Sequence, residues 1–200
     1  MASTPPLMST SGVTVLLFGS QALSFSPESL KTLQDFLHQQ DDCKWMLDTV
    51  SELAVYWGKL VTQFPKLHET PGEKLLGDLN KWLHGHDIEK ATFQLPNILL
   101  TPLVVLTQLT QFIRYLSHSL SGASLSASDV YQTLAQQKVE TVGLCTGLLS
   151  ASAISSSWDR ASFQKYGAAA VRLAMAISAL VDAQDVSDSL HGLSKSFALG

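Results

Sequence analysis

One stretch of nine residues, VETVGLCTG at Val139–Gly147, decides the fold of this chain. Its β-branched start predicts a short strand, and the Gly-x-Cys-x-Gly turn has the arrangement of a nucleophile elbow with cysteine in place of serine. Gly143 and Gly147 allow the strand, turn and helix backbones to pack tightly where any Cβ would clash. The small residues of Leu148–Ser157 predict a helix, so the whole stretch is expected to form a strand, a turn and a helix.

The elbow would place Cys145 at a helix N-terminus, where free amides and the helix dipole favour a thiolate. The main-chain amide of Thr146, directly after the cysteine, is placed to donate to an oxyanion. A cysteine between glycines also occurs simply as a small core residue. The strand before it and the helix after it favour the catalytic interpretation.

A second strand is predicted near the N-terminus. Val13–Phe18 is continuously apolar or β-branched, which is typical of a strand buried on both faces of a parallel sheet. It ends in a turn at Gly19–Gln21. We expect Val13–Phe18 and Val139–Leu144 to be neighbours in a mainly parallel sheet flanked by helices, an α/β fold. This pairing would bring the turn and Cys145 together at the carboxyl ends of the strands, where α/β proteins bind ligands.

Helical spacing of apolar residues predicts most of the remaining elements. A helix is expected to begin at Pro27 with Ser26 as its N-cap. The other expected elements are one helix over Cys43–Phe64, a turn-rich segment over Pro65–Gly77, a short helix over Leu79–Leu83 and a long helix over Asn97–His118. By composition the chain divides into a disordered leader at 1–12, a domain at 13–182 and a Ser/Gly-rich tail at 183–200.

Composition excludes several functional classes. The chain has 200 residues, of which 46% are hydrophobic and 15% charged, with a net charge of −4. Disorder is excluded by this apolar content, and nucleic-acid binding is disfavoured because the basic residues are scattered. Polar residues and prolines interrupt the apolar stretch Leu95–Ile113, so no membrane span is expected. Two cysteines far apart in sequence indicate a reducing, cytoplasmic location and no disulfide framework.

Two motifs together resemble a known family. LFGSQ at Leu17–Gln21 and GLCTGLLSA at Gly143–Ala151, with the serines of Ser155–Ser157, are similar to the starter-unit acyltransferase domain that opens fungal non-reducing polyketide synthases. The resemblance extends over roughly Val13–Asp182. It implies the acyltransferase (FabD-like) α/β fold, of which this chain would be the N-terminal part.

The resemblance also implies a reaction of two thioester exchanges. Cys145 would take an acyl group from coenzyme A or a carrier protein and pass it to the phosphopantetheine thiol of an acyl carrier protein. No bound cofactor is implied, and the implied partners are the carrier protein and other synthase domains. The backbone amide of Gln21 would supply a second oxyanion-hole donor; otherwise Gln21 is a plain turn residue.

Arg172 lies on an apolar helical face, where an arginine either extends to solvent or is held by a partner. Related malonyl-type acyltransferases use an arginine at a comparable offset for a substrate carboxylate. Because starter groups usually lack that carboxylate, a structural role is favoured over substrate binding for Arg172.

The match is incomplete at the catalytic base. Family members carry a histidine well downstream of the elbow, typically in a Gly-x-Tyr/Phe-His setting, and this sequence contains no such motif. His191 is the one histidine after the elbow and the available surrogate base. The pair His84 and His86 lacks a third metal ligand, so no metal site is expected.

Three functions therefore compete. The chain is the N-terminal part of a starter-unit acyltransferase, or a non-catalytic remnant or docking module that still contacts a carrier protein. The third interpretation, an unrelated cysteine hydrolase, ranks last because it also needs a base.

Overall fold

The computed structural model describes residues 14–19, 25–86, 95–120 and 139–190. Within these ranges the chain forms two strands, which are far apart in sequence, and its other regular elements are helices. The elements are β1 Thr14–Phe18, α1 Pro27–Gln39, α2 Lys44–Ser51, α3 Leu53–Gln63, α4 Gly72–Leu83, α5 Asn97–Leu120, β2 Val139–Gly143, α6 Gly147–Ser155 and α7 Arg160–Leu190. Short 3₁₀ turns occupy Asp41–Cys43 and Pro65–Glu69.

The strands β1 and β2 pair in parallel, with Thr14 opposite Val139 and Phe18 opposite Gly143. This confirms the prediction that they are neighbours. The broader expectation of a mainly parallel sheet is met only in part, because the sheet has two strands within the described residues and helices make up most of the rest.

The prediction that the first strand is buried on both faces is wrong for the described structure. Leu16 and Phe18 pack against the core, whereas Val15 is 47% and Leu17 75% exposed. The side chains of a strand alternate between its two faces, and the described helices cover only one of them. One apolar face of the strand pair is therefore left open.

The core is built on the contact between α5 and α7. Phe163 of α7 is fully buried and meets Trp45 of α2 edge-to-face, with ring centroids 5.7 Å apart. The ring centroid of Phe112 of α5 lies 5.5 Å from that of Phe163. The helix α6 packs on both strands and on α5 and α7, so this helical layer supports the elbow.

Asp182 ties the two long helices together. Its carboxylate accepts hydrogen bonds from the Asn97 side chain at 2.7 Å and from the Ile98 amide at 2.9 Å. The Ile98 amide is one of the main-chain donors that have no partner within α5, and the positive end of the helix dipole there also favours a carboxylate. The last part of α7 is thereby fixed to the first turn of α5.

The prediction of one helix over Cys43–Phe64 is wrong, since the chain bends at Glu52. The amide of Glu52 still donates to the Asp48 carbonyl at 3.1 Å, and α3 begins at the next residue. The break allows both helices to bury an apolar face. The buried residues are Met46 and Val50 on α2 and Leu53, Trp57 and Val61 on α3.

The turn-rich segment predicted over Pro65–Gly77 is also corrected. It holds a 3₁₀ turn and most of α4, a 12-residue helix. Gly72 is there for packing, because a Cβ on it would lie 2.7 Å from Cε2 of Trp57 and closer to other atoms of that ring. Gly72 therefore allows α4 to approach α3 closely and does not form a turn.

Two helical segments, Asn97–Ser117 and Arg160–Gln184, are long and apolar enough to cross a membrane by length and composition. In the first segment 72% of the most apolar window is buried inside the protein, and in the second 50%. Core helices of soluble proteins pass the same test. The expectation of no membrane span stays a prediction.

Candidate active site

The elbow is a strained turn between β2 and α6. Cys145 has φ of 55°, and among the described residues it is the one non-glycine residue with a positive φ. Side chains rarely occupy this left-handed region unless the surrounding structure holds them there. Residue 145 thus lies outside both regular elements, as a nucleophile elbow requires.

Two glycines make this turn possible. A Cβ on Gly143 would lie 2.5 Å from the Cα of Leu148, at the start of α6. A Cβ on Gly147 would lie 2.6 Å from the Gly19 carbonyl oxygen, and closer still to that of Phe18. The elbow helix therefore rests directly on the backbone that ends β1, an approach that only glycine permits.

The hydrogen bonds of the turn hold Cys145 outward. The amide of Leu144 donates to the Phe18 carbonyl at 2.9 Å, and the amide of Gly147 donates to the Leu144 carbonyl at 3.0 Å. The Cys145 thiol is exposed, and its Sγ lies 4.0 Å from the Thr146 hydroxyl. Among the described residues the Thr146 amide has no hydrogen-bond acceptor, as is usual for main-chain amides at the start of a helix.

Two candidate residues lie outside the described residues: Gln21 and His191. Of the described histidines, three are engaged elsewhere. His38 contacts the Leu83 carbonyl at 2.5 Å, His84 the Ser51 hydroxyl at 3.2 Å and His86 the Lys81 carbonyl at 3.0 Å. Within the described part of the chain no histidine is hydrogen bonded to Cys145.

The pair His84 and His86 is accounted for by the end of α4. His84 is the C-cap, and Gly85 follows with φ of 94°, the left-handed residue that commonly ends a helix. Within the described ranges no group of three His, Cys, Asp or Glu residues could hold a metal ion. Asp87, next to the pair, lies outside those ranges.

Arg172 is held by one partner just before α3 and one on it. Its Nη2 lies 2.6 Å from the Glu52 carboxylate, and its guanidinium stacks 4.6 Å from the Tyr56 ring centroid. These contacts explain the position of an arginine on an apolar face without invoking a ligand. The structural role favoured from the sequence stays a prediction.

The second cysteine has a very different environment. Cys43 is fully buried at the end of a 3₁₀ turn. Burial, and secondarily the charge of Asp42, raises the pKa of its thiol from 9.0 to about 12. Desolvation is the larger of these two causes.

At neutral pH we expect iodoacetamide to alkylate Cys145 and to leave Cys43 unmodified in the folded protein. The reactive species is the thiolate, and Cys43 neither ionises there nor reaches solvent. Peptide mass spectrometry gives the two rates separately. In urea both thiols should react, which serves as the control; faster labelling of Cys43 in the folded state would contradict an accessible elbow.

One buried polar contact at this site was missed from the sequence. Gln108 of α5 is one of the polar residues that interrupt the apolar stretch Leu95–Ile113, yet it is buried and its side chain donates to the Gly19 carbonyl at 3.0 Å. Its side-chain oxygen accepts a hydrogen bond from Ser150 of α6 at 2.6 Å. A glutamine within an apolar helix is the signal that could have pointed to such a network.

A family model described as "Starter unit:ACP transacylase in aflatoxin biosynthesis" matches residues 16–198. The chain is 43% identical over 193 residues to the non-reducing polyketide synthase pigA of Monascus ruber and 43% identical over 185 residues to the clavatol synthase claF of Penicillium crustosum. These matches cover 96% and 92% of this chain but 7% of each relative's length. The chain therefore belongs to the family of starter unit:acyl carrier protein transacylase domains.

Proposed function

We propose that this chain carries the nucleophilic half of a starter-unit acyltransferase active site. One observation carries the proposal: an exposed cysteine with a left-handed backbone sits between a parallel strand and a helix, beside a free amide. It occurs in a member of a family of starter unit:ACP transacylases. The relatives, fungal non-reducing polyketide synthases, support starter-unit transfer in polyketide biosynthesis.

In the first exchange, the Cys145 thiolate attacks the carbonyl carbon of an acyl thioester. The carbonyl oxygen becomes an oxyanion that accepts a hydrogen bond from the Thr146 amide, with the Gln21 amide as the second donor implied by the family resemblance. The carbon–sulfur bond of the donor then breaks. Its thiolate leaves and takes up a proton, and the acyl group remains on Cys145.

In the second exchange, the phosphopantetheine thiol of an acyl carrier protein loses its proton to a base and attacks the acyl-cysteine. Cys145 leaves as a thiolate, and the new thioester is close in energy to the old one. A cysteine suits both exchanges because it is a good nucleophile and a good leaving group. Coenzyme A thioesters or acyl carrier proteins are the proposed substrates, and no bound cofactor takes part.

The acyltransferase (FabD-like) fold is the architecture we propose for the complete domain. Among the described strands β1 pairs with β2 alone, and together with α5 it lines a cavity of about 640 Å³. Parallel sheets usually continue past two strands and are covered on both faces. Further strands of a longer polypeptide would pair with the open edge of β1 and help to cover the exposed face of the strand pair. The 7% coverage of the relatives allows such a longer polypeptide.

The first exchange can be tested by incubating the protein with acetyl-CoA or octanoyl-CoA and measuring its mass. We expect one acyl group, localised to the peptide that contains Cys145 and released by hydroxylamine. The Cys43→Ala variant should be acylated like the wild type, whereas Cys145→Ala should not. An acyl group on other residues, or none on the wild type, would overturn the proposal.

A non-catalytic docking module is the second candidate function. It is favoured by one observation, that no described histidine is hydrogen bonded to the Cys145 thiol. Such a module would bind a carrier protein without becoming acylated, so the same mass measurement separates the two functions. We expect the protein to be soluble and cytoplasmic, as a polyketide synthase domain.

A further inference from the structure

We infer that Gln108 is a positioning residue for the elbow, holding the end of β1 against the helix that follows Cys145. The inference rests on the proposed acyl transfer and adds a residue to it. Gln108 is 4% exposed and lies in the middle of α5, outside the motifs that identify the family. Its side chain connects α5 to Gly19, the residue directly after β1, and to Ser150 of α6.

The orientation of this amide is fixed by its partners. The Gly19 carbonyl can only accept, so the NH₂ group of Gln108 must face it, at 3.0 Å. The side-chain oxygen then faces Ser150, whose hydroxyl donates at 2.6 Å. Reversing the amide would set two carbonyl oxygens against each other. The Gln108 side chain therefore restrains the position of the chain at Gly19 relative to that at Ser150.

Both segments belong to the candidate site. The Gly19 carbonyl is one of the oxygens against which Gly147 packs, so its position limits where α6 can begin. Ser150 is one helical turn after Thr146, the residue whose amide is free to stabilise an oxyanion. Fixing Gly19 and Ser150 to the same glutamine therefore fixes the Thr146 amide relative to the end of β1.

A buried polar bridge of this kind need not add much stability, because both of its hydrogen bonds replace bonds to water. Its effect on geometry is more specific. A displacement of about 1 Å in a catalytic constellation can reduce the rate by about 10²-fold. The acylation of Cys145 should therefore depend on Gln108 even though Gln108 does not contact the thiol.

The test compares two reactions of the same thiol. Acylation by acetyl-CoA forms an oxyanion and needs the positioned amide, whereas alkylation by iodoacetamide forms none. We expect Gln108→Leu, which keeps the side-chain bulk, to slow acylation by about 10²-fold and to leave the alkylation rate of Cys145 unchanged. A merely structural role would move both rates or neither.

Thr110→Val is the matched control. Thr110 is as buried as Gln108 and on the same helix, but its hydroxyl donates to the Thr107 carbonyl, within α5. This variant should leave both rates unchanged. Ser150→Ala removes the other end of the bridge and keeps the test available if Gln108→Leu does not fold; it should also slow acylation selectively.

The effects of Gln108→Leu and Ser150→Ala should be less than additive in the double variant, because the residues act through one bridge. Wild-type acylation with unchanged rates in both single variants would overturn this inference alone. Parallel loss of acylation and alkylation would also overturn it. No acylation of the wild type would instead overturn the proposed function, and the inference with it.

Discussion

Gly147→Ala is expected to lower the free energy of unfolding by about 3 kcal/mol, at the upper end for overpacking. The added methyl group would meet the Phe18 and Gly19 carbonyl oxygens, which belong to the backbone and cannot move aside as a flexible side chain can. The clash can be removed only if α6 moves away from β1. The same movement would displace Cys145 and Thr146, so acylation should fall together with stability.

Urea unfolding followed by circular dichroism measures this loss. Gly58→Ala is the matched control, since a Cβ at this exposed position in α3 meets nothing within 4 Å. It should stabilise the protein by roughly 0.5–1 kcal/mol, because alanine loses less backbone entropy in a helix than glycine. Equal stability of Gly147→Ala and the wild type would contradict the close packing of the elbow.

The second large effect concerns the two half-reactions. We expect this 200-residue chain to accept an acyl group on Cys145 and to transfer it to a carrier protein very slowly. Capture by a thiolate needs no base, but the incoming phosphopantetheine thiol must lose its proton. Absence of a general base typically costs 10²–10⁴-fold, or about 3–5 kcal/mol in the barrier.

The measurement starts from the isolated acyl-cysteine form and follows carrier loading by mass spectrometry. Added imidazole should accelerate the transfer by replacing the base, and His191→Ala should have no effect. Rapid loading without imidazole would contradict the prediction. A loss of that rapid loading in His191→Ala would then identify His191 as the base.

The elbow could be predicted because its constraints are local. Five residues contain the whole signal: the glycines at 143 and 147 indicate where backbones approach closely, and the cysteine at 145 indicates which side chain projects. The parallel pairing of the two strands followed from the same motif, since a strand pair is needed to bring the turn after β1 beside it. The long helix over Asn97–His118 was also predicted, from its apolar length.

What the sequence did not show depends on distant partners. The bend at Glu52 and the position of Arg172 are coupled by an ion pair between residues 120 positions apart. The segment that contains Gly72 was predicted to be turn-rich because the contact of this glycine with the Trp57 ring cannot be seen from the sequence. Gln108 likewise contacts residues 89 and 42 positions away, and neither contact leaves a local pattern.

The pairing of β1 with β2 also governs when the elbow can form during synthesis. Thr14 and its partner Val139 are 125 positions apart, so β1 emerges from the ribosome long before its neighbour. At a synthesis rate of about 5–20 residues per second, roughly 6–25 s pass between the synthesis of Thr14 and that of its parallel partner. The helices between the strands are made during that interval and pack through shorter-range contacts. The reactive turn can therefore form only after helices α1 to α5 have been synthesised, which makes it a late step of folding.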